Sequence, residues 1–207
     1  MKKLIGVMLC SCFLFGSISN AEVIRMDFEK QLNSNWCWAA VTAMTVKYML
    51  KREGNYQSPT RYKAAQCVLA TYYNTNSSND YYCCENQNGA SNRCNKPGSV
   101  GKPLARFKFL DKQITGQLTD STFRVLSDQI GKKLPVPAGI KWSGRNVGHA
   151  ITVYGIGMGG FAGGQVIYIY DSITGRQAAF QSRNSLNNYG SSNNGSWKAM
   201  YKIKNRR

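Results

Sequence analysis

Between Asn33 and Arg52 the chain carries Trp38, Ala39, Ala40, Val41, Ala43, Met44, Val46, Met49 and Leu50, so a helix over residues 37–51 would be apolar nearly all round. A helix with one apolar stripe can lie on a surface, but one without a polar face must sit inside its fold. Any architecture for this sequence therefore wraps other elements around a central helix. Asn33, Ser34 and Asn35 offer capping side chains before it, and Lys47, Lys51 and Arg52 suit the negative end of its dipole.

The remaining sequence shows two successive patterns. Residues 61–72 read as a second helix, and 74–103, rich in Asn and Ser, as loop. Thr119 or Asp120 can cap a third helix with Phe123, Leu126 and Ile130 on one face, stopped by Gly131. From Leu134 the pattern becomes that of strands, at 136–142, 149–157, 165–171, 178–182 and 198–203. Helices followed by antiparallel strands predict an α+β fold with two segregated lobes. We place a helical lobe at about 22–115 and a β lobe at about 116–207, within one domain of 22–207 that no repeat or linker divides.

The first 21 residues read differently. Met1-Lys2-Lys3 is basic, 4–18 is almost wholly apolar, and Ser19-Asn20-Ala21 has small residues where a signal peptidase cuts, so 1–21 is expected to be a signal peptide. The apolar run is short for a membrane span. A lipoprotein reading at Leu9-Cys10-Ser11-Cys12 fits poorly, because that run continues past Cys10. The mature protein is thus expected outside the cytoplasm, secreted or periplasmic. Cleavage would remove two of 27 basic residues and leave 25 against 10 acidic ones, a net charge of +15. It would also remove Cys10 and Cys12, leaving five cysteines, an odd number for an oxidising compartment. One thiol then stays free or bonds another chain. The spacing of Cys67, Cys83, Cys84 and Cys94 fits no common zinc pattern, and disulfides suit an exported protein better. Adjacent Cys83 and Cys84 rarely bond each other without strain, so each should take Cys67 or Cys94, which leaves two connectivities open.

Three residues or pairs could carry chemistry. Cys37 falls in the first turn of the central helix, where free N–H groups and the dipole favour a thiolate. His149 is the only histidine, which excludes HExxH and multi-histidine metal centres. The glycine-rich segment 157–164 reads as a hairpin turn centred near 160.5, so ladder partners sum to about 321 and His149 falls beside Asp171. A carboxylate that fixes an imidazole's tautomer is the orienting half of a catalytic triad. Gln31, six residues before Cys37, has an amide that could donate to a developing oxyanion together with the Cys37 N–H. Taken singly, these residues read as a half-buried Cys, a structural His–Asp pair and an ordinary Gln. Their convergence is the signal.

The block Gln31-Leu32-Asn33-Ser34-Asn35-Trp36-Cys37-Trp38-Ala39-Ala40 resembles papain-like cysteine peptidases of the compact secreted bacterial type, the effector or staphopain-like branch. Gly148-His149-Ala150, 166–170 running into Asp171, 135–140, and Cys83-Cys84 with Cys94-Asn95 are similar to these proteins too, over most of 28–203. The resemblance implies a papain-like two-lobed fold with a central Cys-bearing helix and a C-terminal antiparallel β-sheet or barrel lobe. It implies that Cys37 is the nucleophile, His149 general base and then acid, Asp171 its orienter and Gln31 the oxyanion donor. Trp38 and Trp142 are candidates for the cleft wall. Asp171 stands where plant and lysosomal papains carry Asn, and residues 22–30 leave no room for an inhibitory prosegment. The expected activity is that of a secreted endopeptidase, delivered as a toxin or effector, with a protein or peptide substrate and neither metal nor cofactor. The same chemistry serves cell-wall amidases, deamidases and acyltransferases, and a non-enzymatic cationic binding protein could share the scaffold.

Two features have plainer readings. Gly155-x-Gly157-x-Gly159-Gly160 lies in a hairpin and opens no helix, so it is not a nucleotide loop. The cations (Lys96, Lys102, Arg106, Lys108, Lys132, Lys133 and the cluster from Lys198 to Arg207) read as a solvated face. Their functional version is attraction to an anionic lipid or cell-wall polymer or to an acidic substrate. No recognition motif for nucleic acid accompanies them.

Overall fold

The computed structural model describes residues 21–57, 63–75, 78–85, 93–146, 148–159, 164–190 and 195–206. The expected signal peptide, apart from Ala21, lies outside them, as do residues 160–163 of the predicted hairpin turn and 61–62 of the predicted second helix.

The central helix α1 runs over Cys37–Arg52 and buries eleven of its sixteen residues. Two of these are threonines. Thr42 and Thr45 donate their hydroxyls back to the Trp38 and Val41 carbonyls at 2.8 Å, so the helix interior holds no unsatisfied hydroxyl of theirs. Lys47 reaches Glu29 in an ion pair, and Arg52 donates to the Lys132 and Lys133 carbonyls. The expected side-chain cap is absent: Trp36 is the N-cap residue and no side chain caps the helix. Asn35 and Ser34 are bonded instead to Asn95. The Asn35 N–H donates to Asn95 Oδ1 at 2.9 Å, Asn35 Nδ2 to the Asn95 carbonyl at 3.0 Å, and Asn95 Nδ2 to Ser34 Oγ at 2.9 Å.

Helix α2 (Gln66–Asn74) starts later than the predicted 61, because Ala65 is extended. The Gln66 side chain is occupied in binding the strap before α1, accepting from the Leu32 N–H and donating to the Lys30 carbonyl. The segment read as loop holds two short helices, α3 (Tyr82–Glu85) and α4 (Gly101–Arg106), too brief to show a period. Helix α5 (Asp120–Gly131) is capped by Thr119, whose hydroxyl accepts from the Thr122 N–H in a capping box.

The seven strands are β1 (Glu22–Val23), β2 (Leu110–Thr115), β3 (Val136–Trp142), β4 (Gly148–Gly159), β5 (Gly164–Asp171), β6 (Arg176–Phe180) and β7 (Gly195–Ile203). They form one antiparallel sheet in the order β2-β7-β3-β4-β5-β6, with β1 also on β4. The fold is therefore α+β. Strands β1 and β2 belong to the stretch read as helical, and β2 pairs with β7 across the expected boundary near 115. Strand β6 begins two residues before the predicted 178, because the turn at Gly175 (φ +70°), whose N–H donates to the Asp171 carbonyl, brings Arg176 directly opposite Asp171. It ends at Phe180, since Ser182 caps the short helix α6 (Arg183–Asn187).

The β4–β5 register differs from the predicted sum. Gly159 pairs with Gly164 and Ile156 with Ile167, so the hairpin turns one residue later than predicted; the bulged Tyr154, between Val153 and Gly155, then takes back one position and sets Ile151 opposite Asp171. His149 thus lies diagonally from Asp171, two residues along the same face.

Candidate active site

Cys37 is the first residue of α1 and the one free cysteine among the described residues. The bridges are Cys67–Cys84 and Cys83–Cys94, one of the two connectivities left open by the sequence. They bear directly on the site. The Cys94 carbonyl accepts from Trp36 Nε1 at 2.8 Å, the Lys96 carbonyl from Trp38 Nε1 at 3.1 Å, and Asn95 holds the turn before α1. The start of α1 is therefore clamped to a segment that a disulfide ties down. Gly98 completes this contact, since a Cβ there would come within 2.4 Å of the Trp38 ring.

His149 lies on β4 and is only 3% exposed. Its Nε2 meets Asp171 Oδ1 at 2.8 Å, so the diagonal strand neighbours do touch. The carboxylate is further saturated: Oδ1 accepts from the Ile173 N–H at 2.8 Å and Oδ2 from the Tyr189 hydroxyl at 2.7 Å. The other ring nitrogen, Nδ1, is buried without a well-formed hydrogen bond among the described residues. The Cys37 sulfur is the remaining group that acts on the ring. Trp142 lies face-on to the imidazole, with centroids 5.9 Å apart and planes 9° from parallel, and Tyr189 packs at 45° to it.

These contacts set the charges. Burial opposes a charge on His149, but Asp171 and Cys37, through hydrogen bonding and charge, outweigh it and raise the imidazole to about 9. Burial would likewise raise Asp171, yet the His149 hydrogen bond and charge, with the Tyr189 and Ile173 donors, hold it down at about 2. Tyr189 is pushed up by burial and by the facing carboxylate, so it remains a donor. At neutral pH the pair is imidazolium and carboxylate, and the cation faces the Cys37 sulfur.

A cleft of about 360 Å³ opens over these groups, lined by Cys37, Trp38, Trp142 and His149 among others. Both candidate wall tryptophans border it. A larger groove of about 850 Å³ lies at the far end of α1, around Arg52, Arg106 and Arg206, and holds neither thiol nor imidazole. Only the smaller cleft has the means to react.

Gln31 is placed differently from the other three. Its Nε2 donates to the Asn33 and Ser34 carbonyls at 2.9 and 2.8 Å, and its Oε1 accepts from Ser172 Oγ at 3.4 Å. Both amide hydrogens are thus committed to the turn before α1. The structure brings Cys37, His149 and Asp171 together and leaves the Gln31 amide beside them, turned into that turn. Sequence reasoning missed Tyr189, which lies between the strands predicted at 178–182 and 198–203. Its signal was a lone aromatic residue among Asn and Ser. It also missed what Asn95 does, although the neighbouring cysteine was noted.

Among the described residues no group of three or more His, Cys, Asp or Glu is arranged to hold a metal. The model of the Peptidase_C39 like family matches residues 23–205, from β1 through β7. No curated protein matches the chain. With a free thiol at a helix start, an imidazole and a carboxylate assembled within that span, the chain belongs to the Peptidase_C39 like family, a family of cysteine peptidases.

Proposed function

We propose that the protein is an exported endopeptidase of papain-like, two-lobed architecture, allied to the secreted effector or staphopain-like branch. The observation that carries this reading is the Cys37–His149–Asp171 alignment under an open cleft. In the first step the Cys37 thiolate, its proton already held by His149, bonds to the carbon of a substrate amide, and the carbonyl π pair moves to oxygen. That oxyanion faces the first-turn N–H groups of α1, which no side chain caps. Gln31 joins them by rotating its amide off the Ser34 carbonyl. When the tetrahedral adduct collapses, the C–N bond breaks and the amine leaves with the proton from His149. A thioester remains. Water, giving its proton to His149, then attacks the acyl carbon; the C–S bond breaks, and acid and free enzyme are released.

Two intramolecular disulfides favour an oxidising destination and so support export. The basic surface suits residence near an anionic lipid or cell-wall polymer.

The direct test is to treat the mature protein with an epoxide thiol-protease inhibitor, map the adduct, and assay a peptide library beside purified peptidoglycan. We expect labelling at Cys37 alone and peptide cleavage that Cys37→Ala abolishes without loss of fold. Release of sugar-linked peptide with no protein cleavage would reassign the enzyme as an amidase. A fully active Cys37→Ala variant would overturn the mechanism.

A further inference from the structure

The charged side chains that line the cleft, apart from His149, are Arg145 and Lys198; no carboxylate lines it. Arg145 sits in the turn after β3 and Lys198 on β7, and both are exposed. Lys198 owes its place to a bulge: Gly139 pairs with Ala199 and Ile140 with Trp197, so Lys198 is the extra residue between them. Bulges of this kind re-aim a side chain, and they gather next to active sites.

Neither cation takes part in an ion pair among the described residues. Seven carboxylates pair elsewhere, among them Glu29 with Lys47, Glu53 with Arg206, Asp111 with Lys202, and Asp171 with His149. Two like charges that line one cleft without a carboxylate repel each other, and the fold gains no ion pair from either. A bound anion would relieve the repulsion. The larger basic groove, whose cations also include Lys108, differs in being lined by a carboxylate of its own, Glu53. There Arg206 is neutralised by Glu53, Arg52 is bonded to two carbonyls, and Arg106 lies over the Tyr72 ring.

We propose that the cleft selects acyl substrates bearing a negative charge on a residue next to the scissile amide, with Arg145 and Lys198 as the residues that read it. This deepens the peptidase reading and rests on it. The positive field would also speed the encounter with such substrates and would fade as salt rises.

Two measurements test this, each a ratio within one protein. The first is kcat/KM for matched peptides with Glu or Gln on either side of a bond that the enzyme cleaves. The second is the rate of Cys37 alkylation by iodoacetate relative to iodoacetamide, which needs no peptide turnover. In the wild type at low salt we expect Glu to be preferred on one side by about tenfold, the scale of one to two partly screened charge contacts. The double variant Arg145→Gln/Lys198→Met should lose that preference and show a several-fold lower alkylation ratio, whereas Lys198→Arg should keep both. Equal turnover of Glu and Gln peptides by the wild type, or a preference that survives the double variant, overturns the inference and leaves the peptidase standing. If no peptide is cleaved, the peptidase reading fails and the alkylation ratio decides. A fall in the double variant supports an anion-selecting cleft, and an unchanged ratio refutes it.

Discussion

In the proposed mechanism Tyr189 acts through Asp171. Its hydroxyl donates to the carboxylate oxygen that His149 does not use, at 2.7 Å, from a buried ring stacked on Phe180. A hydrogen bond to a charged acceptor contributes about 1.5–3 kcal/mol. Tyr189→Phe keeps the packing and removes the donor, so we expect kcat to fall by about tenfold with KM little changed. The pH dependence follows from the same contacts. Asp171, held at about 2, contributes stability that is present above its unfolded value near 3.8 and is lost as pH falls through 2. His149, raised to about 9, contributes stability that is complete below 6.5 and is lost as pH rises through 9. In Tyr189→Phe the acid loss should begin at higher pH, while the alkaline limb of activity stays near 9. Denaturant midpoints and kcat measured from pH 2 to 10 would check both, and an unmoved acid limb would leave Tyr189 a packing residue only. Cys37 and His149 were legible in the sequence because each signal was local or unique: a cysteine opening an apolar helix, and a solitary imidazole. Tyr189 was not, because its partner arrives from another strand and nothing near it in sequence hints at burial.

At the scale of elements, α1 could be read from its apolar residues alone, but the way it begins could not. Its capping candidates Ser34 and Asn35 are held by Asn95, some 60 residues further on, and no local pattern encodes a partner so distant. That bond has a function, because it fixes the turn from which Cys37 projects. Asn95→Ala should remove the two side-chain hydrogen bonds, destabilise the protein by about 1–3 kcal/mol, and lower kcat more than KM as α1's first turn loosens. Hydrogen exchange at the Cys37 and Trp38 amides, faster in the variant than at mid-helix, would separate a local effect from general unfolding. The hairpin shows the same limit. Counting outward from its turn brought His149 and Asp171 together, yet the chain turns one residue later than counted and the Tyr154 bulge takes back only one position, so they are diagonal rather than opposite. Bulges respond to what packs on the strand; here Tyr154 meets Phe28 edge-on at 4.9 Å. Strands β1 and β2 escaped notice because two residues make no period and because β2 alternates poorly.

Across the whole molecule the sulfur atoms are unevenly placed. No cysteine follows Cys94, so the sheet from β3 to β7 holds together without any bridge, while both disulfides lie in the segment that steadies α1. The thiol that reacts and the bridge that positions it therefore make opposite demands on their surroundings. A mild reductant restores an oxidised Cys37; a stronger one opens Cys83–Cys94 and frees Asn95 and the Trp36 and Trp38 anchors. Activity should rise and then fall as reductant is titrated, with the fall tracking the appearance of Cys83 and Cys94 thiols by mass spectrometry and with the β3–β7 amides still protected. A plateau that persisted after both bridges had opened would show that the clamp is dispensable. A fall in activity would instead mean that the enzyme works only within a band of redox conditions, silenced by oxidants at one edge and by reductants at the other, which would make its surroundings a switch on its activity.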